Sequence, residues 1–168
     1  RVLDLCAAPG GKSTQIAARL AGEGLLVSNE IVSSRAAVLL SNLERMGVRN
    51  AVVTCSHPQQ LCVALQGIFD KILVDAPCSG EGMFRKEEAA LREWSPEKPQ
   101  ACAARQLQIL GSAKEALREG GILVYSTCTF SREENEDVIF EFLRRNPAFE
   151  LVPLEEMFGE PSGKYITP

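Results

Sequence analysis

The sequence has few of the residues that mark several common kinds of protein. It has one histidine in 168 residues, and its six cysteines lie far apart with no Cys-x-x-Cys pair. Zinc sites usually draw on paired cysteines and histidines, so no metal site is expected. No apolar run approaches the roughly 18 residues of a membrane-spanning helix, so no membrane contact is expected. Because a chain of this size needs no disulfides, the cysteines favour a reducing cytoplasm.

An excess of positive charge is also missing. The 18 Lys and Arg residues are outnumbered by 22 Asp and Glu residues, which gives a formal net charge of −4. Strong binding of nucleic acid through its phosphates normally requires a basic surface. This stretch of chain is therefore not expected to bind nucleic acid strongly by itself.

The length and the hydrophobic content of 45% predict one domain around a single core. The sequence starts inside an apolar strand pattern, and residues 163–168 show no closing helix or strand. We therefore interpret residues 1–168 as the central part of a longer protein, truncated at both ends.

The most informative stretch is the first. Residues 2–5 are apolar apart from Asp4 and predict a buried strand, and a helix is predicted over 12–20. The small residues between them would let a ligand approach the backbone, and the helix start offers free N–H groups. This is how a doubly wound α/β fold builds a nucleotide site.

A loop of this kind can bind one of three types of ligand: a phosphate group, a dinucleotide or S-adenosylmethionine. A phosphate-binding P-loop would need glycine where Cys6 stands, and a dinucleotide fingerprint needs more than the pair Gly10-Gly11. The loop of an S-adenosylmethionine-dependent methyltransferase fits better than either. A glycine turn without a ligand is the remaining alternative.

Strands and helices then alternate along the chain. Further strands are predicted at 25–28, 51–54, 69–74, 122–126 and 149–152. The helix after residue 32 is expected to be capped by Ser33 or Ser34, with Ala36, Leu39, Leu40 and Leu43 buried. A short helix is expected at 87–94 and longer ones at 103–117 and after a capping box at 131–134.

Two polar residues follow the second and third strands. Glu30 lies about 20 residues past the first loop, where an acidic side chain can hold the ribose hydroxyls of an adenosine cofactor. A helix-start carboxylate is the alternative for Glu30. His57 stands where an adenine contact would lie, and a single loop histidine is more often a minor contact than a catalyst.

Chemically active residues also follow the fourth and fifth strands. Asp75 and Cys78 come after one strand and Cys128 after the other. A cysteine by itself is more often a small packed residue. Two cysteines at neighbouring strand ends, together with a carboxylate, favour catalysis.

Three stretches resemble motifs of the RNA (cytosine-5)-methyltransferases of the Nol/Nop/Sun family. Residues 4–12 resemble motif I, Asp-Ala-Pro-Cys-Ser-Gly at 75–80 resembles motif IV, and Ser-Thr-Cys-Thr at 126–129 resembles motif VI. The form of the motifs is similar to bacterial ribosomal RNA enzymes of the RsmF or RsmB kind. The resemblance implies a Rossmann-like methyltransferase fold, a three-layer α/β sandwich with a mostly parallel sheet.

The resemblance also implies an activity and its residues. The family methylates carbon 5 of cytosine in RNA, here ribosomal RNA, with S-adenosylmethionine as cofactor. It implies that Cys128 is the nucleophile, that Cys78 assists release, and that Asp75 contacts the cytosine and the cofactor. The implied cofactor residues are Cys6, Ala7, Ala8, Pro9, Gly10, Gly11, Lys12, Glu30, His57 and Asp75. At His57 the family usually has an acidic residue, so this position departs from its pattern.

Alternatives remain for the identity of the nucleophile and for the function of the chain. Cys78 would be the nucleophile if the chain followed the DNA cytosine methyltransferases, although a capped helix just after Cys128 would favour a thiolate there. The chain could also be a non-catalytic RNA-binding or ribosome-assembly protein that keeps the fold, or a nucleotide-dependent enzyme. The oligomeric state is not predicted.

Overall fold

The computed structural model describes residues 1–85, 92 and 94–153. The strands in this part are β1 (Val2–Asp4), β2 (Leu26–Asn29), β3 (Ala51–Thr54), β4 (Phe69–Asp75) and β5 (Leu117–Ser126). The helices are α1 (Gly11–Leu20), α2 (Ser33–Arg45), α3 (Pro58–Ala64), α4 (Lys98–Ala116) and α5 (Glu136–Arg145), with 3-10 turns at Glu81–Met83 and Arg132–Glu134. The short helix predicted at 87–94 lies almost wholly outside the described residues.

The five strands form one parallel sheet in the order β3-β2-β1-β4-β5. The chain moves outwards from β1 to β3 and then returns to the other side of β1 with β4. Right-handed crossovers therefore place α1 and α2 on one face of the sheet, and α3 and α4 on the other. This confirms the predicted three-layer α/β fold. The order reverses between β1 and β4, where such folds bind ligands.

The helices cover the sheet with two apolar clusters. The larger cluster packs α3, α4 and α5 against the sheet, and its fully buried members include Leu3, Ile72, Val74, Leu110, Ala113 and Val138. The smaller one joins Leu39 and Leu43 of α2 to Ala7 and Ala8 of the first loop. The first loop is thus part of an apolar core and packs against α2.

The expected sixth strand at 149–152 is wrong, because these residues have irregular backbone. Phe149 instead packs its ring against Phe142 of α5, with ring centroids 5.1 Å apart. Aromatic residues favour strands mainly through side-chain packing. Here that packing is made by a coil segment against a helix.

Two expectations for α2 are also wrong. The side chain of Leu40 is 45% exposed, whereas Leu39 is fully buried. Adjacent positions on a helix point about 100° apart, so only one of two neighbouring leucines can face the sheet. Ser33 and Ser34 do not cap the helix. Its first turn follows Val32, whose N–H donates to Glu30 Oε1 at 3.0 Å.

A buried carboxylate lies beneath the first loop. Asp4 is fully buried on β1, and its Oδ2 accepts the Ser13 hydroxyl at 2.7 Å, while Ser13 also contacts the Ser28 hydroxyl at 2.9 Å. These bonds join β1, α1 and β2. Burial raises the pKa of Asp4 to about 6 despite the Ser13 bond, and the nearby Asp75 adds to the rise.

No helix within the described ranges is both long and apolar enough to cross a membrane.

The two adjacent leucines of α2 give a test of the packing. Leu39→Ala should lower the free energy of unfolding by about 2–5 kcal/mol, because it leaves a cavity in the smaller cluster. Leu40→Ala removes a half-exposed side chain and should change it by only about 0.5 kcal/mol. Urea denaturation of the full-length protein measures both. Equal losses in the two variants would contradict the orientation of α2.

Asp4 should make the folded protein less stable as the pH rises. The pKa is higher in the folded protein than in the unfolded chain, so the folded state holds this proton more tightly. The resulting stabilisation is present at acidic pH and is lost as the pH rises from about 4 to about 6. Relative to the parent, Asp4→Asn should therefore gain about 2 kcal/mol of stability between pH 4 and pH 7. Denaturation curves across this range check it, with Glu44→Gln as an exposed control. A pH-independent difference would refute the burial effect.

Candidate functional site

A cleft of about 930 Å³ opens at the carboxyl ends of the parallel strands, beside the switch between β1 and β4. Its walls include most of the residues singled out in the sequence: Cys6, Ala8, Glu30, His57, Asp75, Cys78 and Cys128. A second cavity of about 290 Å³ adjoins it and is lined by Ala7, Pro9, Gly11 and Lys12 together with Asp4. The topology of the sheet thus gathers residues that are up to 122 positions apart in sequence.

Gly10 is the one predicted cofactor residue that lines neither of these cavities. Its φ of 110° lies in the left-handed region, and a Cβ on it would stand 3.0 Å from Leu39 Cδ1. The positive φ favours glycine there, and a Cβ would in addition press on the Leu39 side chain. Gly10 therefore lets the loop pack closely against α2.

The loop before α1 is also held by hydrogen bonds from α2. Arg35 donates to the Ala8 carbonyl at 3.0 Å, and Asn42 donates to the Pro9 carbonyl at 2.7 Å. The Ala7 N–H donates to the Asn29 carbonyl at 2.8 Å. The loop is therefore fixed from two sides before any ligand binds.

Glu30 lies immediately after β2 and is only 4% exposed. Besides accepting the Val32 N–H, its carboxylate pairs with Arg35 at 3.2 Å between Oε2 and Nη1. It is thus both a helix-start carboxylate and part of the cleft wall. The two interpretations of the sequence are compatible.

His57 forms the N-cap of α3. Its Nδ1 accepts the Gln59 N–H at 3.3 Å, and Pro58 follows at the first helical position. An Nδ1 that accepts leaves the other ring nitrogen as the donor of the neutral ring. His57 therefore has a structural role in addition to its place in the cleft wall.

Asp75 ends β4 at the centre of the site. Its Oδ2 accepts Lys12 Nζ at 2.6 Å, and its Oδ1 accepts the Ser126 hydroxyl at 2.7 Å. Lys12 comes from the start of α1 and Ser126 from the end of β5. Asp75 thereby connects the first loop to both cysteine loops, and Ser126 had not been singled out in the sequence.

The two cysteines of the strand ends face each other. The sulfur atoms of Cys78 and Cys128 lie 3.0 Å apart, and the Cys128 N–H donates to Cys78 Sγ at 3.3 Å. Cys128 is exposed and Cys78 is partly buried. Burial, and next its contact with Cys128, raise the pKa of the Cys78 thiol to about 12. Its surroundings therefore disfavour the thiolate form of Cys78.

Cys6 also lines the cleft, but burial disfavours its thiolate form. Burial, with Asp4 and Glu30 nearby, raises the pKa of the Cys6 thiol to about 12. A thiol reacts as its thiolate, so Cys6 is a packing residue in the first loop.

The loops that carry the two cysteines are joined directly. The Gly82 N–H donates to the Cys128 carbonyl at 2.9 Å, and the hydroxyls of Ser79 and Thr129 are 3.1 Å apart. A Cβ on Gly82 would lie 2.6 Å from the Cys128 carbonyl oxygen, so only glycine permits this approach.

The expected capping box at 131–134 is wrong. The Ser131 hydroxyl donates to Glu133 Oε2 at 2.7 Å and makes no cap, and α5 begins only at Glu136. No α-helix starts directly after Cys128, so no α-helix N-terminus favours a thiolate there. Glu134 points inward instead and is fully buried.

The chain resembles known proteins over most of its length. It is 50% identical over 159 residues to the ribosomal RNA small subunit methyltransferase F of Escherichia fergusonii, a match that covers 94% of this chain and 33% of the relative. The chain thus spans about a third of the length of that curated relative.

Solved structures agree with this match. The crystal structure of NSun6 from Pyrococcus horikoshii, described as with SFG, superposes with a TM-score of 0.76 and 35% identity, covering 86% of this chain and 36% of that one. The crystal structure of PH0851 superposes with a TM-score of 0.86 and 32% identity, covering 90% of this chain and 34% of that one. Residues 1–165 match the family described as 16S rRNA methyltransferase RsmB/F. The resemblance seen in the motifs is confirmed: the chain belongs to the RsmB/F family of 16S rRNA methyltransferases.

Proposed function

We propose that the full-length protein methylates carbon 5 of a cytosine in ribosomal RNA with S-adenosylmethionine, through a covalent bond between Cys128 and the base. The observation that carries this proposal is the pair of thiols 3.0 Å apart in the cleft that also holds Glu30 and Asp75. The family description and the relative from Escherichia fergusonii support ribosomal RNA as the substrate class.

The residues of the cleft fit an adenosine-type cofactor. The first loop is built of small residues and fixed by α2, and the carboxylate of Glu30 lies one residue past the end of β2. Glu30 would hold the ribose hydroxyls, and His57 would lie near the adenine. Bound S-adenosylmethionine would supply an electrophilic methyl group. The ligand SFG of the NSun6 structure is an analogue of this cofactor, which supports the choice.

The two cavities leave room for more than the cofactor. A cleft of about 930 Å³ is near the upper end of the roughly 300–1,000 Å³ of small-molecule sites. Cys78 and Cys128 lie in the same wall as Asp75. A cytosine turned out of its RNA strand would present its ring face to these thiols.

Pyrimidine chemistry explains why a thiol is needed. Carbon 5 of cytosine is a weak nucleophile within an aromatic ring. A bond from a thiolate sulfur to carbon 6 makes carbon 5 enamine-like, so that it can accept a methyl group. A base then takes the proton from carbon 5, the electrons of that C–H bond restore the double bond between carbons 5 and 6, and the sulfur leaves carbon 6 as a thiolate.

The environments of the two thiols support different roles. Partial burial and the contact with Cys128 disfavour a thiolate at Cys78, so Cys78 is less suited to the attack than the exposed Cys128. Its S–H can donate a hydrogen bond to Cys128, 3.0 Å away. That bond would stabilise the Cys128 thiolate as it leaves carbon 6. We therefore assign the attack to Cys128 and assistance of release to Cys78.

Cofactor binding can be tested at Glu30. Glu30→Ala should weaken binding of S-adenosylhomocysteine by about 1.5–3 kcal/mol, because a charged acceptor for the ribose is lost. Calorimetry on the full-length protein measures it, and Glu30→Gln, which can still accept the Val32 N–H, separates ligand binding from loop stability. The exposed Glu44→Ala is the matched control. Unchanged affinity in both Glu30 variants would remove this residue from the site.

The two cysteines should behave oppositely in a denaturing gel with substrate RNA and S-adenosylmethionine. Cys128→Ala should abolish methylation and form no covalent RNA complex, since it lacks the attacking sulfur. Cys78→Ala should still attack but release slowly, so a denaturation-resistant adduct should accumulate. Cys55→Ala, at an exposed cysteine outside the cleft, should match the wild type.

The same gel tests the alternatives. An adduct with Cys128→Ala and none with Cys78→Ala would reverse the assignment. Full methylation by both variants would exclude a covalent mechanism. No methyl transfer by the wild type to ribosomal RNA would instead favour a non-catalytic RNA-binding protein.

A further inference from the structure

We propose that Glu134 and Asn135, consecutive residues just before α5, position the two catalytic cysteines separately. Asn135 sets the turn that carries Cys128. Glu134, together with Gln106 of α4, sets the loop that carries Cys78. This inference rests on the proposed function and adds positioning residues to it.

Asn135 binds both neighbours of Cys128 with one carboxamide. The Thr127 hydroxyl donates to Asn135 Oδ1 at 2.6 Å, and Asn135 Nδ2 donates to the Thr129 carbonyl at 3.2 Å. Because β5 ends at Ser126, Cys128 lies beyond the pairing of the sheet. The carboxamide of Asn135 therefore supports this turn where the sheet no longer does. It acts beside the bond from the Gly82 N–H to the Cys128 carbonyl and the bonds that Glu81 accepts from Thr129 and Phe130.

Glu134 and Gln106 do the same for both neighbours of Cys78. Glu134 Oε2 accepts the Ser79 N–H at 2.9 Å and Gln106 Nε2 at 2.9 Å. Gln106 Nε2 also donates to the Pro77 carbonyl at 3.0 Å. Each cysteine is thus bracketed by hydrogen bonds to the residue before it and the residue after it.

Both sets of hydrogen bonds come from two adjacent residues, Glu134 and Asn135. The Tyr125 hydroxyl of β5 donates to the Glu134 carbonyl at 2.6 Å, which ties these residues to the sheet. Since Glu134 and Asn135 are adjacent in the chain, the position of one cysteine loop is fixed relative to the other. This arrangement contributes to the separation of 3.0 Å between the sulfurs, together with the direct bonds between the two loops.

Packing alone does not account for these residues. Glu134 and Gln106 are both fully buried, and an apolar pair would fill the same space without desolvating a carboxylate. Within the described residues, Glu134 Oε1 and Gln106 Oε1 have no hydrogen-bond partner. The polar atoms that do bond hold each other and the backbone next to Cys78, which indicates a positioning role.

The proposal predicts two opposite kinetic defects in the full-length protein with substrate RNA and S-adenosylmethionine. Asn135→Ala should slow adduct formation and kcat by about tenfold or more, because a misplaced nucleophile loses the attack geometry, with S-adenosylhomocysteine affinity unchanged. Glu134→Ala should instead accumulate adduct, as expected for Cys78→Ala. Asn135→Asp, which keeps the acceptor for Thr127, and Glu134→Gln, which keeps one for Ser79, should restore part of the wild-type behaviour.

Matched controls separate positioning from folding. Asn146→Ala also removes one donated and one accepted hydrogen bond, at the opposite end of α5, and should retain wild-type kinetics. If Glu134→Ala does not fold, Gln106→Met removes the donors to Pro77 and Glu134 at similar volume and should accumulate adduct. An equal kinetic defect in the Asn146 control would overturn the positioning roles.

A second readout does not depend on RNA. Mass spectrometry of iodoacetamide-treated protein gives the alkylation rate of Cys128 relative to Cys55, and Asn135→Ala should change this ratio. The positioning proposal would be overturned if the Asn135 and Glu134 variants kept wild-type kinetics and the alkylation ratio did not change, while Cys78→Ala still accumulated adduct. The proposed function would stand in that case. No adduct in the wild type or in Cys78→Ala would contradict the proposed function, and the alkylation ratio would then still decide the role of Asn135.

Discussion

The pairing register between β4 and β5 is the constraint on which the site depends. Asp75 pairs with Ser126, so the two strands end together and their cysteines lie three and two residues beyond. An irregularity between Phe69 and Lys71 absorbs a mismatch at the start of the pairing, and the register is regular from Lys71 onward. A shift by one residue would turn the side chains of one strand to the other face of the sheet. The bond between Asp75 and Ser126 follows from this alignment, which also brings the two cysteine loops side by side at one edge of the sheet.

Most residues of the cleft were predictable from the sequence, because a parallel sheet brings the carboxyl ends of its strands to one edge. Once residues 2–5 and 69–74 are interpreted as buried parallel strands, everything just past their carboxyl ends must share one edge of the sheet. Glu30, Asp75 and Cys128 were found in this way, without knowledge of any contact between them. The small residues of the first loop were also informative, since close backbone approach has a recognisable composition.

The side chains that hold the loops of the cleft in place were not predictable, because they act through contacts between residues far apart in the sequence. Ser131 and Glu134 have the spacing of a capping box, which is a local signal. Burial turns Glu134 instead toward Ser79, 55 residues earlier in the chain. The strand expected at 149–152 is wrong for the same reason, since an apolar residue does not reveal which neighbour covers it. Leu40 is a different case, because helix periodicity alone separates it from Leu39 by about 100°. Local patterns indicated which elements form, and tertiary contacts decided what each side chain does.

Buried carboxylates lie beneath both halves of the site. Asp4 fixes the start of α1 through Ser13, below the first loop, and Glu134 fixes the Cys78 loop through Ser79. Both are fully buried, and among the described residues one oxygen of each has no hydrogen-bond partner. Such groups lower stability relative to apolar residues, whereas the main core away from the cleft is apolar. The cost in stability is therefore concentrated where loop backbone must be held still for chemistry, which is where departures from simple packing rules are expected. On this view the geometry of the two thiols depends on the buried carboxylates beneath them as well as on the bonds that join the two loops directly.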